Sequence, residues 1–318
     1  MKSAFPPLET ARTLATVYGH EFSAQPLTYP HGVALSGRLR LAAIEGEGTA
    51  VGQDIARLIE PVVQDPGAIP DAGPCLSVAC FADELFGVTE EERHRDFLIT
   101  MADRFLARAL FDDDVRVEDF FFGGTLLGRA HRLTGQAAYA DALMDYLGAV
   151  DTQQPNGLFW HCHASPYFWG RGNAFAALGM AEALEYVPAH PRRDELVARH
   201  CSHLEALAKF QDVSGMWRQI IDDGGTYLEH SATTMIGYTI ARGIAGGWLE
   251  PGRWRPVAQR AWEGAAARIG GNGELEHVCV GTGPLDGRED YVTRAFTDGQ
   301  DERGGAMALW FATEMAAA

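Results

Sequence analysis

The sequence of 318 residues predicts an all-α protein, an (α/α)6 toroid in which six helical hairpins close into a ring. Two observations support this fold class. Seven segments carry apolar residues near the spacing i, i+3, i+4 and i+7, which is typical of an amphipathic helix. A short glycine-bearing motif recurs at a constant interval, which indicates a repeated structural unit. Any strands are expected to be short and to lie in the loops of one rim.

The helical segments are mostly rich in Ala and Leu and poor in β-branched runs, a composition that favours helix over strand. Glycine or proline punctuates the junctions, as at Gly135 and Pro251. In chain order the segments are GQDIARLIEPVV, EERHRDFLITMADRFLARAL, FFGGTLLGRAHRLTG, QAAYADALMDYLGAV, DELVARHCSHLEALAKFQ, SATTMIGYTIARGIAGG and RPVAQRAWEGAAARIG. A further helix is expected in the right half of SPYFWGRGNAFAALGMAEALEYV.

The repeated motif reads NGLFWH, SGMWRQ and NGELEH, and its glycines, Gly157, Gly215 and Gly273, are 58 residues apart in both steps. This interval has room for two helices and two connections, so the repeating unit is a helical hairpin. The chain accommodates six hairpins of ~50 residues each, which could form an open solenoid or a closed ring. A closed ring is favoured because obvious polar caps are absent. Aromatic, glycine-rich loops also recur at the same position in each repeat. No linker is evident, so residues 1–318 are expected to form one domain.

The composition narrows the class of partner and the compartment. A net charge of −17 argues against nucleic acid, because phosphate binding requires a surplus of Lys and Arg. The sequence has no basic membrane-binding face, no run of ~18 apolar residues and no signal-peptide core, so no membrane partner is expected. Five cysteines, mostly far apart, do not suggest a disulfide framework. We expect a soluble cytoplasmic protein that is a monomer or a small homo-oligomer.

The loop SPYFWGRGNAF, from Ser165 to Phe175, concentrates aromatic residues together with Arg171 and Asn173 at a helix start. Aromatic faces stack on the C–H faces of pyranose rings, and an arginine fork matches a carboxylate. The loop therefore suggests a site for a sugar that bears a carboxylate. A structural interpretation, with Trp169 in the core, stays open. A dinucleotide site is disfavoured, since GRGNAF lacks the third glycine and no buried strand precedes it.

Carboxylates occur at two predicted helix starts. Glu118 and Asp119 precede three phenylalanines and two glycines in EDFFFGG. In one interpretation, both are N-terminal charges that the helix dipole favours. In the other, one of them is a general acid that its apolar neighbours keep protonated near neutral pH. Asp71 in PDAGP is either a helix N-cap or a second carboxylate at the rim. Two carboxylates in different environments are typical of enzymes that cleave glycosides.

His161 and His163 in LFWHCHAS would share one side of an extended segment. Neither a metal nor a cofactor is expected, because a clear third ligand and a known ligand spacing are missing. The histidines are either hydrogen-bonded structural groups or substrate contacts. Trp217 and Arg218 follow Trp160 and His161 by one repeat, so they are expected to face the same cavity.

With these residues in place, the sequence resembles the unsaturated uronyl hydrolases of glycoside hydrolase families 88 and 105, in particular the unsaturated rhamnogalacturonyl hydrolases. The resemblance rests on blocks in matching order: YPHGVALSG, EDFFFGGTLLGRAHRLTG, GLFWHCHAS, FWGRGNAFAALGMAEAL, FQDVSGMWRQIIDD and YLEHSATTMIGYTIARGI. It implies an (α/α)6 barrel. It also implies a small oligosaccharide substrate whose terminal uronate carries the C4=C5 double bond left by a polysaccharide lyase. Such enzymes protonate C4 and deliver water to C5.

The resemblance also implies roles for individual residues. The acid–base position falls on Glu118, where the family usually has Asp, and the second aspartate falls on Asp71, with Asp119 as the alternative acid. The residues that match sugar-contacting positions, or lie in the same blocks, are His31, His161, Trp169, Arg171, Asn173 and Phe175, the last of which stands where Trp is common. Two other functions stay open. One is another toroidal sugar enzyme, such as a uronidase or an epimerase, and the other is a non-catalytic carbohydrate-binding protein.

Overall fold

A computed structural model describes residues 5–23, 26–109 and 114–318. The helices are α1 (Pro7–Ala15), α2 (Tyr29–Glu45), α3 (Gly48–Gln64), α4 (Gly73–Leu76), α5 (Ala82–Thr89), α6 (Glu92–Ala109), α7 (Glu118–Thr134), α8 (Ala137–Ala149), α9 (Gly170–Tyr186), α10 (Arg193–Ala208), α11 (His230–Ala245), α12 (Pro251–Ala266), α13 (Arg288–Val292) and α14 (Glu302–Ala317). The strands β1 (Trp217–Arg218) and β2 (Leu228–Glu229) form one antiparallel pair, and β3 (Leu275–Cys279) and β4 (Phe296–Gly299) form another. Within the described ranges, no helix is long and apolar enough to cross a membrane.

The long helices form an inner and an outer ring. The inner helices pack in the order α7, α9, α11, α14 and α2, and the segment from α4 to α5 closes the ring between α2 and α7. The outer helices α1, α3, α6, α8, α10 and α12 pack on this inner ring. The predicted all-α toroid of helical hairpins is confirmed, and the short strands lie in loops that precede inner helices.

The repeated glycines lie in loops that lead from an outer helix to the next inner helix. Gly157 follows α8, Gly215 follows α10 and Gly273 follows α12, and their φ angles are 88°, 89° and 76°. A residue with a Cβ rarely adopts this left-handed conformation, so these loops turn at glycine. All three loops come before the amino ends of inner helices, which places them at the same rim of the ring.

The packing of α7 against α9 depends on two glycines. A Cβ on Gly179 would lie 2.1 Å from the carbonyl carbon of Phe120, and a Cβ on Gly124 would lie 2.5 Å from the carbonyl oxygen of Gly179. The two backbones therefore touch, and larger residues would force the helices apart. This contact holds the amino end of α7, where Glu118 begins the helix, against the middle of α9.

Aromatic side chains fill the ring below the rim. The ring centroid of Phe175 lies 5.4 Å from that of Tyr29 and 5.9 Å from that of Phe121. Phe121 in turn lies 6.1 Å from Trp310 of α14, so the rings of four inner helices meet at the centre. Such a centre is a packed core.

A buried cluster of ion pairs lies in the half of the ring away from this rim. Arg129 of α7 has no exposed surface and donates to Asp83 at 2.6 Å and to Glu182 at 3.3 Å. Its Nε also donates to Thr125 at 3.1 Å. A charge taken out of water needs such partners, so these residues stabilise one another within the core.

Candidate active site

A cavity of about 400 Å³ opens at the rim where the inner helices begin. The amino ends of α2, α7, α9 and α14 and the loop after β3 form its wall. Its lining residues are Thr28, Tyr29, Pro30, Pro74, Arg116, Glu118, Phe122, Trp169, Phe175, Gly281, Thr282, Gln300, Asp301, Glu302 and Arg303. Apolar rings and charged groups face the same space, which suits a ligand that combines apolar faces with polar groups.

Glu118 and His161 form a close pair at this cavity. The Oε2 atom of Glu118 lies 3.0 Å from Nε2 of His161, and the exposed fractions of the two side chains are 12% and 0%. Both atoms are buried, and within the described residues neither meets the geometry of a hydrogen bond, so the contact is a close ion-pair distance. The backbone reinforces the contact, because the N–H of Val117 donates to the carbonyl of His161 at 3.0 Å. The sequence expected both residues in the site, and the structure brings them together.

Tyr291 orients the imidazole from behind. Its hydroxyl lies 2.5 Å from Nδ1 of His161, and it accepts the N–H of Leu285 at 3.1 Å. Burial raises the pKa of Tyr291 to about 12, so the hydroxyl keeps its proton near neutral pH. We assign that proton to the bond with Nδ1, which leaves the imidazole proton on Nε2, facing the carboxylate of Glu118. The hydrogen bond at Nδ1 and the close contact at Nε2 together place the imidazole N–H against Glu118.

Trp169 lines the cavity, while Arg171 lies behind it. The ring of Trp169 is 4.7 Å from that of His161, and the Cζ of Arg171 is 4.8 Å from the Trp169 ring. Arg171 is 2% exposed and donates to the carbonyls of Cys279 at 2.5 Å and Val280 at 2.8 Å. These bonds fix the loop after β3, whose next two residues line the cavity. Arg171 therefore shapes this wall, and its two terminal nitrogens are already used by protein carbonyls.

The other two acids expected in the site lie elsewhere. Asp71 is 58% exposed and its Oδ1 is bound by Nε and Nη2 of Arg104, at 2.7 and 2.6 Å, outside the cavity that Glu118 lines. Arg104 also binds carbonyls of the same loop, and these contacts hold Asp71 against α6. Asp119 points back along its helix and accepts the N–H of Arg116 at 3.3 Å. Of the three expected acids, Glu118 is the one that lines this cavity.

Trp217 and Arg218 are not brought to this cavity. Trp217 is fully buried and its Nε1 donates to the carbonyl of Leu207 at 2.7 Å. Arg218 binds Asp212 at 2.9 Å and braces its own loop. The expectation counted the repeat one residue out of phase. Measured from the repeated glycines, Trp217 is equivalent to Phe159, and both are core residues.

Asn173 and Phe175 support the site in different ways. The amide of Asn173 accepts the N–H of Phe159 at 2.8 Å and donates to the carbonyls of Phe159 and Trp169 at 2.9 and 3.0 Å. It therefore fastens the loop that carries His161 to the start of α9. Phe175 lines the cavity and, with Tyr29, presents an apolar surface at its base.

His31 lies at the wall that separates the cavity from a neighbouring one. Its Nε2 is 2.9 Å from Oε2 of Glu302, and its Nδ1 completes a capping box with Thr28. Burial lowers the pKa of His31, but the bond to Glu302 outweighs this effect and the net pKa is raised. The adjoining cavity, of about 330 Å³, is lined by His31 and shares Pro30, Gln300 and Glu302 with the first.

Sequence reasoning did not single out Tyr291, Arg303 or Tyr29. Tyr291 lies 130 residues beyond His161, and nothing in its local sequence connects the two. Arg303 could have been noticed, because the charged run DER comes directly before an apolar, glycine-rich helical segment at the position of the last inner helix. The resemblance block YPHGV contained Tyr29, which the structure places in the cavity wall.

The sequence also matches a known family of enzymes. A family model described as Glycosyl Hydrolase Family 88 matches residues 12–318. The chain belongs to this family. The resemblance to glycoside hydrolase families 88 and 105 is thus confirmed, and the family 88 chain carries Glu118, His161 and Trp169 within the matched region.

One curated relative of this family 88 chain is the unsaturated rhamnogalacturonyl hydrolase YesR of Bacillus subtilis, which is 28% identical over 197 residues. The match covers 58% of this chain and 55% of that protein, so the matched part spans about half of the relative's length.

Two solved structures share the fold of the family 88 chain. A possible member of the GH105 family from Salmonella enterica gives a TM-score of 0.83 at 19% identity, over 98% of this chain and 93% of that one. The unsaturated glucuronyl hydrolase from Bacillus sp. GL1 gives a TM-score of 0.72 at 15% identity, over 96% of this chain and 93% of that one. These likenesses support the toroidal fold.

Proposed function

We propose that this family 88 protein hydrates the C4=C5 double bond of 4,5-unsaturated uronyl oligosaccharides, and that rhamnogalacturonan-type disaccharides are its substrates. The observation that carries the proposal is the contact of Glu118 with the buried imidazole of His161 at the wall of a cavity that Trp169 also lines. The name of the YesR relative supports the rhamnogalacturonan class. A carboxyl group, a fixed N–H donor and apolar ring faces are the groups that this reaction requires.

The first step is the transfer of a proton from the carboxyl group of Glu118 to C4. The π electrons of the enol ether form the new C4–H bond, and positive charge is then shared between C5 and the ring oxygen. Glu118 becomes a carboxylate in the same step. The N–H of His161, 3.0 Å away, stabilises the negative charge as it develops.

The second step adds water to C5. The oxygen of water forms a bond to C5, and the carboxylate of Glu118 takes the proton that water loses, which restores the acid. The product is a hemiketal at C5, and its ring opens to a C5 ketone. C1 then carries both a hydroxyl and the aglycone oxygen, so it collapses to an aldehyde and releases the aglycone. No nucleophile attacks C1, so the carboxylate spacing that separates retaining from inverting glycosidases does not apply.

The remaining residues contribute by position. Trp169 and Phe175 line the cavity but are almost fully buried, so they shape its apolar wall. Arg171 holds the loop after β3 in the cavity wall through its bonds to backbone carbonyls. Asp71 has no part in the proposed reaction, because Arg104 holds it outside the cavity that Glu118 lines.

The test is the ultraviolet absorbance of the conjugated double bond, followed while an unsaturated rhamnogalacturonyl disaccharide is incubated with the protein. The wild type is expected to remove the absorbance and to release the aglycone sugar. Glu118→Gln is expected to lower kcat by roughly 10²- to 10⁴-fold, the usual contribution of a general acid–base. Asp119→Asn, which alters the neighbouring carboxylate, is expected to keep most of the activity.

Three results would overturn the proposal. Cleavage of a saturated glucuronide, with no turnover of the unsaturated disaccharide, would identify a conventional uronidase. Binding without turnover would identify a carbohydrate-binding protein. Full activity in Glu118→Gln together with a large loss in Asp119→Asn would transfer the role of the acid to Asp119.

A further inference from the structure

The following inference rests on the proposed function and concerns the charge that the substrate carries. A 4,5-unsaturated uronate has a carboxylate on C5, next to the carbon that Glu118 protonates. The chemistry of the loop that carries Arg171 suggested this residue as a partner for such a group. The guanidinium of Arg171, however, is buried, and Nη1 and Nη2 donate to the carbonyls of Cys279 and Val280 at 2.5 and 2.8 Å. Arg171 is also not among the residues that line the cavity, whereas Arg116 and Arg303 are.

We infer that Arg303 binds the carboxylate of the substrate and makes the enzyme selective for the free acid. Arg303 lies in the first turn of α14, lines the cavity and is 34% exposed. Its Nη2 is held by Asp301 at 2.9 Å, which limits the motion of the guanidinium. Its Nε is buried and has no hydrogen-bond partner in the part of the chain that the structure describes. The side chain as a whole is about one-third exposed at the cavity it lines, so a carboxylate can pair with the accessible part of the guanidinium.

Arg303 and Glu118 line the same cavity of about 400 Å³ from different inner helices. In the inner ring, α7 packs against α9 and the α4–α5 segment, whereas α14 packs against α11 and α2, so the two helices begin on different sides of the cavity. Tyr29 lines the same cavity as Glu118 and Arg303. The acid and the guanidinium can therefore approach a bound ligand from different sides.

The acids beside Arg303 are already engaged by the protein. Asp301 caps α14 by accepting the N–H of Gly304 at 3.0 Å, in addition to binding Arg303. Glu302 is paired with His31 at 2.9 Å. The charge of Arg303 is therefore not surrounded by unpaired carboxylates, and the N–H groups of the first turn of α14 add to the attraction for an anion.

Arg116, the other arginine of the cavity wall, belongs to the same side as the acid. It precedes α7, and its Nε is 3.9 Å from Asp119. Substitutions of the two arginines therefore have different expected effects, because Arg116 lies beside the acid and Arg303 faces it across the cavity. Substituting each of them separately distinguishes the two positions.

The experiment compares two substrates, the unsaturated rhamnogalacturonyl disaccharide as the free acid and as its methyl ester, by kcat/KM. The wild type is expected to favour the free acid by at least about tenfold, the effect of one hydrogen-bonded charge pair. Arg303→Gln is expected to reduce this ratio to near one, and Arg303→Lys to give an intermediate value. Arg116→Gln is expected to keep the preference. Arg288→Gln, which breaks a surface pair with Asp223, serves as the control and is expected to match the wild type.

The ratio of the two substrates separates a loss of recognition from a loss of folding, because general damage lowers both activities alike. An unchanged ratio in Arg303→Gln would overturn the inference while leaving the proposed function intact. Loss of the preference in Arg116→Gln instead would assign the carboxylate to Arg116. If Arg303→Gln does not fold, Arg303→Lys decides, and a ratio equal to that of the wild type refutes the inference. A wild type that consumes neither substrate would refute the proposed function itself.

Discussion

The Nε2 atom of His161 lies 3.0 Å from Oε2 of Glu118, although the two residues belong to different hairpins of the ring. Glu118 begins α7, and His161 lies in the loop between α8 and α9. The glycine contact between α7 and α9 and the bond from the N–H of Val117 to His161 hold the two segments together. The geometry of the acid therefore depends on how two neighbouring hairpins pack.

Removal of the imidazole tests whether this contact stabilises the carboxylate during the reaction. In His161→Ala, kcat is expected to fall by roughly 10²- to 10³-fold, the usual loss when a preorganised donor is removed, with a smaller change in KM. The matched control is His163→Ala, since His163 is exposed and pairs with Asp151 at the surface. Thermal melting of both variants checks the fold. A kcat for His161→Ala within about twofold of the wild-type value would contradict this role.

Tyr291→Phe tests the hydrogen bond between the hydroxyl of Tyr291 and Nδ1 of His161. Without the hydroxyl, Nδ1 of His161 loses its donor, so the imidazole proton is no longer confined to Nε2 and kcat is expected to fall by about five- to tenfold. Tyr167→Phe is the control, because its ring packs on Tyr291 while its hydroxyl bonds a surface carbonyl at 3.3 Å. Steady-state kinetics should show the loss in Tyr291→Phe alone. Equal effects in both variants would mean that only packing matters.

The pair of His31 and Glu302 predicts a pH-dependent stability. Burial lowers the pKa of His31, but its bond to Glu302 raises it above the ordinary value of 6.5. The hydrogen bond from His31 lowers the pKa of Glu302 below 4.5. The stabilisation by His31 is full below pH 6.5 and is lost as the pH rises through the raised pKa. The stabilisation by Glu302 is full above pH 4.5 and is lost as the pH falls through the lowered pKa.

The pair of His31 and Glu302 therefore contributes most to the stability of the fold between pH 4.5 and pH 6.5. Glu302 is 54% exposed, so solvent limits the contribution to about 1 kcal/mol or less. Urea unfolding at about pH 5.5 and about pH 8.5 measures it, and Glu302→Gln should reduce the free energy of unfolding more at the lower pH. Glu289→Gln, a change at an exposed acid, should show no such difference between the two pH values. A larger loss at the higher pH would have the wrong sign.

The buried ion pairs of Arg129 predict a large stability effect away from the site. Arg129→Met leaves the buried Asp83 and Glu182 without one of their partners, and it is expected to lower the free energy of unfolding by about 3 to 5 kcal/mol. Arg253→Met, which breaks an exposed pair with Glu205, should change it by no more than about 1 kcal/mol. Chemical denaturation gives both values. Equal effects in the two variants would show that the cluster is not buried as described.

The sequence predicted the repeat and five of the six outer helices, all except α1, because both features leave local signals. An outer helix is apolar on one side only, so its periodicity is clear, and the glycines of the repeat are required by their positive φ angles. The inner helices α2 and α14 were not named among the helical segments. They are buried on most sides and so lack a polar face, which removes the periodic pattern that identifies a helix.

The site could be predicted in part for the same reason. Glu118, Trp169 and Phe175 lie at the amino ends of inner helices, close to glycine-rich loops that the repeat marked as rim loops. The pairing of Asp71 with Arg104, and that of His161 with Tyr291, joins residues that are distant in the chain. Such contacts depend on the three-dimensional packing, so a local sequence pattern does not predict them.

The most direct measurement of the central claim is proton NMR of the first turnover products in D₂O. Protonation of C4 by Glu118 from one side of the ring predicts that deuterium enters one of the two C4 positions as the aglycone is released. In Glu118→Gln this labelled product should form far more slowly. Release of an aglycone together with an unlabelled sugar that still holds its C4=C5 bond would contradict the account.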